Sequence, residues 1–195
     1  MFPERKETRG HNRGFEEGGE DGRKDPRDNP DEDVIHSPPH CRVVRVARRE
    51  FFSLTTERFR VENLAALELA ARTFAATLRA GDVIALAGDL GAGKTAFIAA
   101  TVRALHGPAA EVTSPTFTFW HHYGGTPPVE HLDLYRIDDP EEAGELGLHE
   151  AFGPASITFV EWPERLPALL PANSVRISIA GAGDRPRELT IARPA

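Results

Sequence analysis

Eight consecutive residues, Gly88-Asp89-Leu90-Gly91-Ala92-Gly93-Lys94-Thr95, constrain this chain more than any other stretch. They satisfy G-x-x-x-x-G-K-[ST] at every required position. Before them lies Val83-Ile84-Ala85-Leu86-Ala87, short and apolar on both faces, which reads as a central strand covered by helices. After them a helical pattern runs over 94–105 until Gly107 and Pro108 stop it. Strand, glycine-rich turn and helix in that order suit phosphate binding. Glycines tolerate positive φ and let backbone N–H groups converge on phosphate oxygens, while the helix N-terminus adds its positive dipole end. The loop from Gly88 to Thr95 is therefore expected to cradle the phosphates of ATP together with a magnesium ion. Lys94 should reach the β- and γ-phosphates, and the Thr95 hydroxyl should ligate Mg2+.

The pattern around this loop alternates between helix and strand. Leu64, Leu67, Ala71, Phe74 and Leu78 recur at intervals of three and four and predict a helix ending at Gly81. Val112 to Tyr123, rich in Thr and aromatics, and Val129 to Tyr135 both read as extended. Asp138-Asp139-Pro140-Glu141-Glu142 supplies a cap, a first-turn proline and acidic residues suited to a helix N-terminus. Ile157 to Val160 reads as another buried strand, and Val175 to Ile179 with Glu188 to Ile191 as a closing hairpin. The fold class expected is α/β. Its form is a three-layer domain of the P-loop NTPase type around a central mixed, mainly parallel sheet.

Magnesium takes oxygen ligands beyond one hydroxyl, commonly a carboxylate at the end of a neighbouring buried strand. Ile157-Thr158-Phe159-Val160-Glu161 delivers such a group at its C-terminal tip, where ligands of open α/β sheets bind, so Glu161 is the first candidate. In Val129-Glu130-His131-Leu132-Asp133-Leu134-Tyr135-Arg136, Leu132 and Leu134 share one face, and His131, Asp133 and Tyr135 the other. Asp133 is the second candidate, binding magnesium through water or orienting the attacking water. Other chemistries lack their residues. Neither H-E-x-x-H nor G-x-S-x-G occurs, and adjacent His121 and His122 point to opposite faces of an extended strand.

Composition narrows the partners. The formal net charge of -7 gives no general attraction to nucleic acid, so any RNA is expected to be held by a partner. Residues 1–33 carry 11 acidic and 7 basic side chains with only Met1, Phe2 and Phe15 apolar, which predicts a disordered tail. With Ser37-Pro38-Pro39 as linker, the expected division is a tail over 1–41 and a P-loop ATPase domain over 42–195. Cys41 is the only cysteine, which rules out an internal disulfide and a cysteine-based zinc site. There is no apolar run of about 18 residues and no basic-then-apolar leader, so a soluble cytoplasmic protein without membrane contact is expected.

Four blocks together carry a family resemblance: the glycine loop, Ser114-Pro115-Thr116-Phe117, His131-Leu132-Asp133-Leu134-Tyr135-Arg136 and Val160-Glu161-Trp162-Pro163. With them the chain resembles the TsaE (YjeE) family from about residue 60 to 192. The resemblance also covers Asp139-Pro140-Glu141-Glu142 and Glu145-Leu146-Gly147-Leu148. It implies a bacterial ATPase that assists formation of N6-threonylcarbamoyladenosine beside the anticodon of tRNAs reading codons that begin with A. Such proteins bind the TsaB–TsaD complex and hydrolyse ATP to sustain its turnover, slowly when alone, and reach tRNA only through that complex. By the same resemblance Gly91, Ala92, Gly93, Lys94, Thr95 and Ala96 contact ATP, Thr95 and Glu161 bind magnesium, and Asp133 serves hydrolysis. Ser114 to Phe117 would form a switch-like loop near the γ-phosphate, with Ser114 and Thr116 as its contacts. Trp162 would pack against the nucleotide or the partner, and Arg187 is a candidate C-terminal nucleotide contact.

Two positions depart from the family pattern. A threonine common at the start of the helix before the loop has no counterpart among Asn63 to Leu67, which leaves adenine recognition unassigned. Ala96 stands where a second threonine is frequent. Two other functions fit a phosphate loop: a small-molecule kinase, for which the chain shows no arginine-rich lid, and a nucleotide-dependent binding module with negligible hydrolysis.

Overall fold

The computed structural model describes residues 41–46, 54–183 and 185–194. The expected tail lies outside these residues except for Cys41, which opens the first strand. In chain order the elements are β1 Cys41–Val46, β2 Leu54–Val61, α1 Leu64–Ala75, β3 Val83–Ala87, α2 Lys94–His106, β4 Trp120–Tyr123, β5 Val129–Asp133, α3 Pro140–Glu145, β6 Ile157–Glu161, β7 Val175–Ala180 and β8 Arg187–Pro194. Short 3-10 turns at Leu148–Ala151 and Pro167–Leu169 complete the list. The strands form one sheet in the order β1-β2-β8-β7-β3-β6-β5-β4.

A mainly parallel sheet, expected from the sequence, is found only in the middle. β7, β3, β6 and β5 run parallel, whereas β1–β2, β2–β8, β8–β7 and β5–β4 are antiparallel pairs. Connection length is the reason. Parallel neighbours need a long crossover, whereas the short links from β4 to β5 and from β7 to β8 permit only antiparallel pairing.

Alternation along the strands divides the apolar residues between two cores. Ile84, Leu86, Ile157, Phe159, Ile177, Ile179, Leu189 and Ile191 pack with Leu67, Ala71 and Phe74 of α1 and with Phe97 and Ile98 of α2. The rings of Phe74 and Phe97, 5.6 Å apart, join the two helices. Leu132 and Val160 face the other way, against Ala143, Leu148, Ala151 and Leu166. Each fully buried large side chain contributes about 1.5–3 kcal/mol, so the sheet is fixed from both sides.

Helix α1 buries its face at the three- and four-residue spacing read from the sequence, and Asn63 caps it by accepting from the Ala66 N–H at 2.9 Å. It stops at Ala75, short of Leu78. Both the N–H and the hydroxyl of Thr77 donate to the Phe74 carbonyl, at 2.9 and 2.7 Å, which tightens the last turn and ends the ladder. Asp139 caps α3 as expected, accepting from the Glu141 N–H at 2.9 Å with Pro140 in the first turn. The extended segment expected over Val112 to Tyr123 shrinks to β4. The N–H groups of Thr118 and Phe119 both donate to the Pro115 carbonyl, and Phe119 takes φ of 63°, so the hydroxyl-rich stretch closes into a turn.

Candidate functional site

The parity of two strands brings the acidic groups together. Phe159 faces the core under α1 and α2, so Glu161, two residues on, faces the same way at the strand tip. In β5, Asp133 stands opposite Glu161, and His131 opposite Phe159. All three side chains are buried, along with Lys94. β3 ends beside them and turns through Gly88 into α2.

Two glycines set the shape of that turn. Gly88 has φ of 148°, and a Cβ there would run into the Ile179 carbonyl oxygen of β7. At Gly93, with φ of 109°, a Cβ would lie 2.7 Å from Leu67 Cδ2. A side chain at either position meets both a disfavoured backbone and a neighbour. Arg187, at the start of β8, ties the loop from the far side. Its Nε donates to the Ala92 carbonyl at 2.8 Å and a terminal nitrogen donates to the Gly183 carbonyl at 2.9 Å.

The pocket formed here has a volume of about 410 Å3. Gly91, Gly93, Lys94, Thr95, Ala96, Ser114, Thr116, Asp133, Glu161, Trp162 and Arg187 line it. Of the sequence-based candidates, Gly88 and Ala92 do not. Gly88 offers its carbonyl to Lys94, and the Ala92 side chain is buried in the core while its carbonyl takes the Arg187 bond. Leu64, Leu90 and Tyr135 line the pocket without having been singled out. Tyr135 was readable from strand alternation with Asp133; the two leucines carry no sequence signal of their own.

Lys94 donates to the carbonyls of Gly88 at 2.7 Å and Asp89 at 3.1 Å, and its Nζ sits 3.7 Å from the centroid of the Trp162 ring. Burial lowers its pKa below the ordinary lysine value, and the charges of Glu161 and Asp133 pull it back up. Trp162 holds a left-handed backbone with φ of 59° and packs on Tyr135, centroids 4.8 Å apart. The Thr95 hydroxyl donates to Glu161 Oε1 at 2.7 Å, and His131 Nε2 donates to the same oxygen at 2.9 Å. Asp133 is held at both oxygens. The Tyr135 N–H donates to Oδ1 at 2.9 Å, and the hydroxyls of Thr116 and, at 3.4 Å, Ser114 reach Oδ2. The loop carrying those hydroxyls is anchored at its start, where the Tyr123 hydroxyl donates to the Thr113 carbonyl at 3.0 Å.

The residues present fit an anionic, metal-bound ligand. Lys94 pairs with carbonyls and with no described carboxylate, which leaves its charge for an anion entering the pocket. Among the described residues no group of three or more His, Cys, Asp or Glu side chains is placed to cage a metal. Thr95 and Glu161 suit a cation that takes its remaining ligands from phosphate oxygens and water, as Mg2+ does.

Comparison with known proteins identifies the family. Residues 61–189 match the family model of the threonylcarbamoyl adenosine biosynthesis protein TsaE. The chain is 40% identical over 134 residues to the Bacillus subtilis tRNA threonylcarbamoyladenosine biosynthesis protein TsaE, covering 68% of this chain and 83% of that one. The Synechocystis protein of the same name is 42% identical over 119 residues, covering 57% and 73%. The crystal structure of Bacillus subtilis YdiB superposes with a TM-score of 0.62 at 34% identity, covering 73% of this chain and 88% of that one. With a family model spanning more than half of its length and relatives at this identity, the chain belongs to the TsaE family of threonylcarbamoyl adenosine biosynthesis proteins.

Proposed function

We propose that this chain is a Mg2+-dependent P-loop ATPase supporting N6-threonylcarbamoyladenosine formation in tRNA together with a TsaB–TsaD complex. The observation that carries the reading is the meeting of Lys94, Thr95, Asp133 and Glu161 with Gly91 and Gly93 in one pocket. The pathway comes from the names of its relatives.

Bound Mg2+ would supply positive charge that neutralises phosphate oxygens during transfer to water. The chain's own groups do the positioning. The loop from Gly88 to Thr95 presents backbone N–H groups and the α2 N-terminus to phosphate. Lys94 exchanges its two carbonyl acceptors for phosphate oxygens. Thr95 and Glu161 would hold the cation, the hydroxyl keeping its proton and donating it in a hydrogen bond to Glu161 Oε1. Asp133, fixed at both oxygens, orients water for attack on the terminal phosphorus, so that the bond to the bridging oxygen breaks and ADP and phosphate leave. Ser114 and Thr116, hydrogen-bonded to each other at 2.7 Å and to Asp133, link that carboxylate to the loop expected to sense the terminal phosphate.

Hydrolysis is favoured over phosphorylation of an acceptor because, among the described residues, Arg187 is the only arginine lining the pocket and is engaged by carbonyl oxygens. Among the described residues no helix is long and apolar enough to cross a membrane, and a role in tRNA modification supports a cytoplasmic setting. An acidic chain can serve an RNA pathway when its partner complex holds the RNA. Magnesium-dependent ATP turnover, measured with and without TsaB–TsaD for the wild type, Lys94→Ala and Glu161→Ala, tests the reading. Equal turnover in all three removes the site assignment, and a phosphorylated metabolite in place of free phosphate makes the protein a kinase.

A further inference from the structure

His131 is fully buried, yet it is not placed as a core filler. Its Nδ1 is a buried nitrogen with no hydrogen-bond partner among the described residues. Leaving such a group unpaired costs about 1–3 kcal/mol, a cost that an apolar side chain of similar size would avoid. The other nitrogen is committed. Nε2 lies 2.9 Å from Glu161 Oε1, the oxygen that also accepts the Thr95 hydroxyl at 2.7 Å. A carboxylate oxygen offers only acceptor lone pairs, so the bond requires the hydrogen on Nε2. The ring is held in place by Tyr123, whose centroid is 6.2 Å away. The two donors converge on Oε1, whereas Oε2 has no partner among the described residues, and Glu161 lines the pocket.

We infer that His131 is a positioning residue that locks the Glu161 carboxylate in one rotamer, with Oε1 bound internally and Oε2 left for the cation. The inference rests on the magnesium role proposed above for Glu161. A ligating carboxylate fixed by an outer hydrogen bond binds metal without having to be ordered first, and loss of such a partner typically weakens metal binding about 10- to 100-fold. His131 acts on the metal through Glu161, so its loss leaves phosphate contacts made by Lys94 and the glycine loop intact.

Calorimetry on the full chain separates these effects. ATP is titrated with EDTA present, and Mg2+ is then titrated into the ATP-saturated protein, for wild type, His131→Leu, His131→Gln and Glu161→Ala. His131→Leu should raise the half-saturating Mg2+ concentration about 10- to 100-fold and leave metal-free ATP affinity within about twofold. His131→Gln, whose amide N–H can occupy the place of Nε2–H, should recover most of the loss. Unchanged Mg2+ affinity in His131→Leu overturns the inference. So does a His131→Gln protein that melts like the wild type but binds Mg2+ as weakly as His131→Leu. A Glu161→Ala protein that binds Mg2+ like the wild type removes the proposed metal site, and the role of His131 with it. That result is distinct from one in which Glu161→Ala is impaired and His131→Leu is not.

Discussion

Two hollows of nearly equal size are built against the same sheet, and only one has the makings of a reaction centre. The pocket at the carboxyl ends of β3, β5 and β6 measures about 410 Å3. A groove of about 390 Å3 lies on the face turned away from α1 and α2. Its floor is Ala85, Ala87, Ser178, Thr190 and Ala192, and its wall includes Pro163, Pro167 and Leu170. Both draw on β8 and on the segment that follows β6. In the first, four buried ionisable groups converge on one space: Lys94, Asp133, Glu161 and Arg187. In the second the charged residues are Arg176 and Glu164, both outside the buried set. Volume is thus a weak guide, and convergence of buried polar groups, which must be compensated by a ligand or by each other, is the stronger one.

The contrast is sharpest where a charged group in the pocket is removed. Lys94→Ala or Glu161→Ala should lower magnesium-dependent ATP turnover in the presence of TsaB–TsaD by about 10²- to 10³-fold, read by phosphate release. A smaller effect comes from the scaffold of the loop. Gly88→Ala imposes a disfavoured φ and a collision with the Ile179 carbonyl, and should cost about 1–3 kcal/mol in urea unfolding. An unchanged unfolding midpoint would show that β7 can yield. Arg187→Lys keeps a positive charge but cannot reproduce both carbonyl bonds, so ATP affinity should fall about fivefold to tenfold by calorimetry, about 1–1.5 kcal/mol. Affinity equal to the wild type would separate β8 from the loop. The smallest effect belongs to the groove. Ser178→Val should change stability by less than about 0.5 kcal/mol and leave turnover within about twofold. A loss comparable to that of Lys94→Ala would make the groove functional and end the contrast drawn here.

Much of the pocket was legible because its residues obey local rules. The glycine loop announces its own conformation, and alternation in Ile157–Glu161 and Val129–Tyr135 puts Glu161 at a strand tip and Asp133 on the face of His131 and Tyr135, whereas the end of β5 at Asp133 emerges only in the structure. The same alternation put His131 beside Asp133, but no local rule says which carboxylate a buried imidazole will meet. Glu161 lies 30 residues away in the chain and reaches His131 only because β5 and β6 are adjacent and in register. The segment Val112 to Tyr123, extended by its composition, closes into a turn before β4 for a related reason. Its threonines have strand-forming side chains, yet their hydroxyls are satisfied by Asp133 and by local carbonyls.

By itself the sequence determined a buried strand running through a glycine turn into a helix, an acidic strand end at Glu161, a second acid at Asp133 in an extended segment, and the cap of α3. These depend on φ preferences, periodicity and side chains reaching backbone within a few residues. Tertiary structure alone decided the strand order, the antiparallel edges, the anchoring of Ala92 by Arg187 from β8, and the sharing of one Glu161 oxygen by Thr95 and His131. Those contacts join residues tens of positions apart, and their partners are chosen by which surfaces pack best, a global property that no short window of the chain contains.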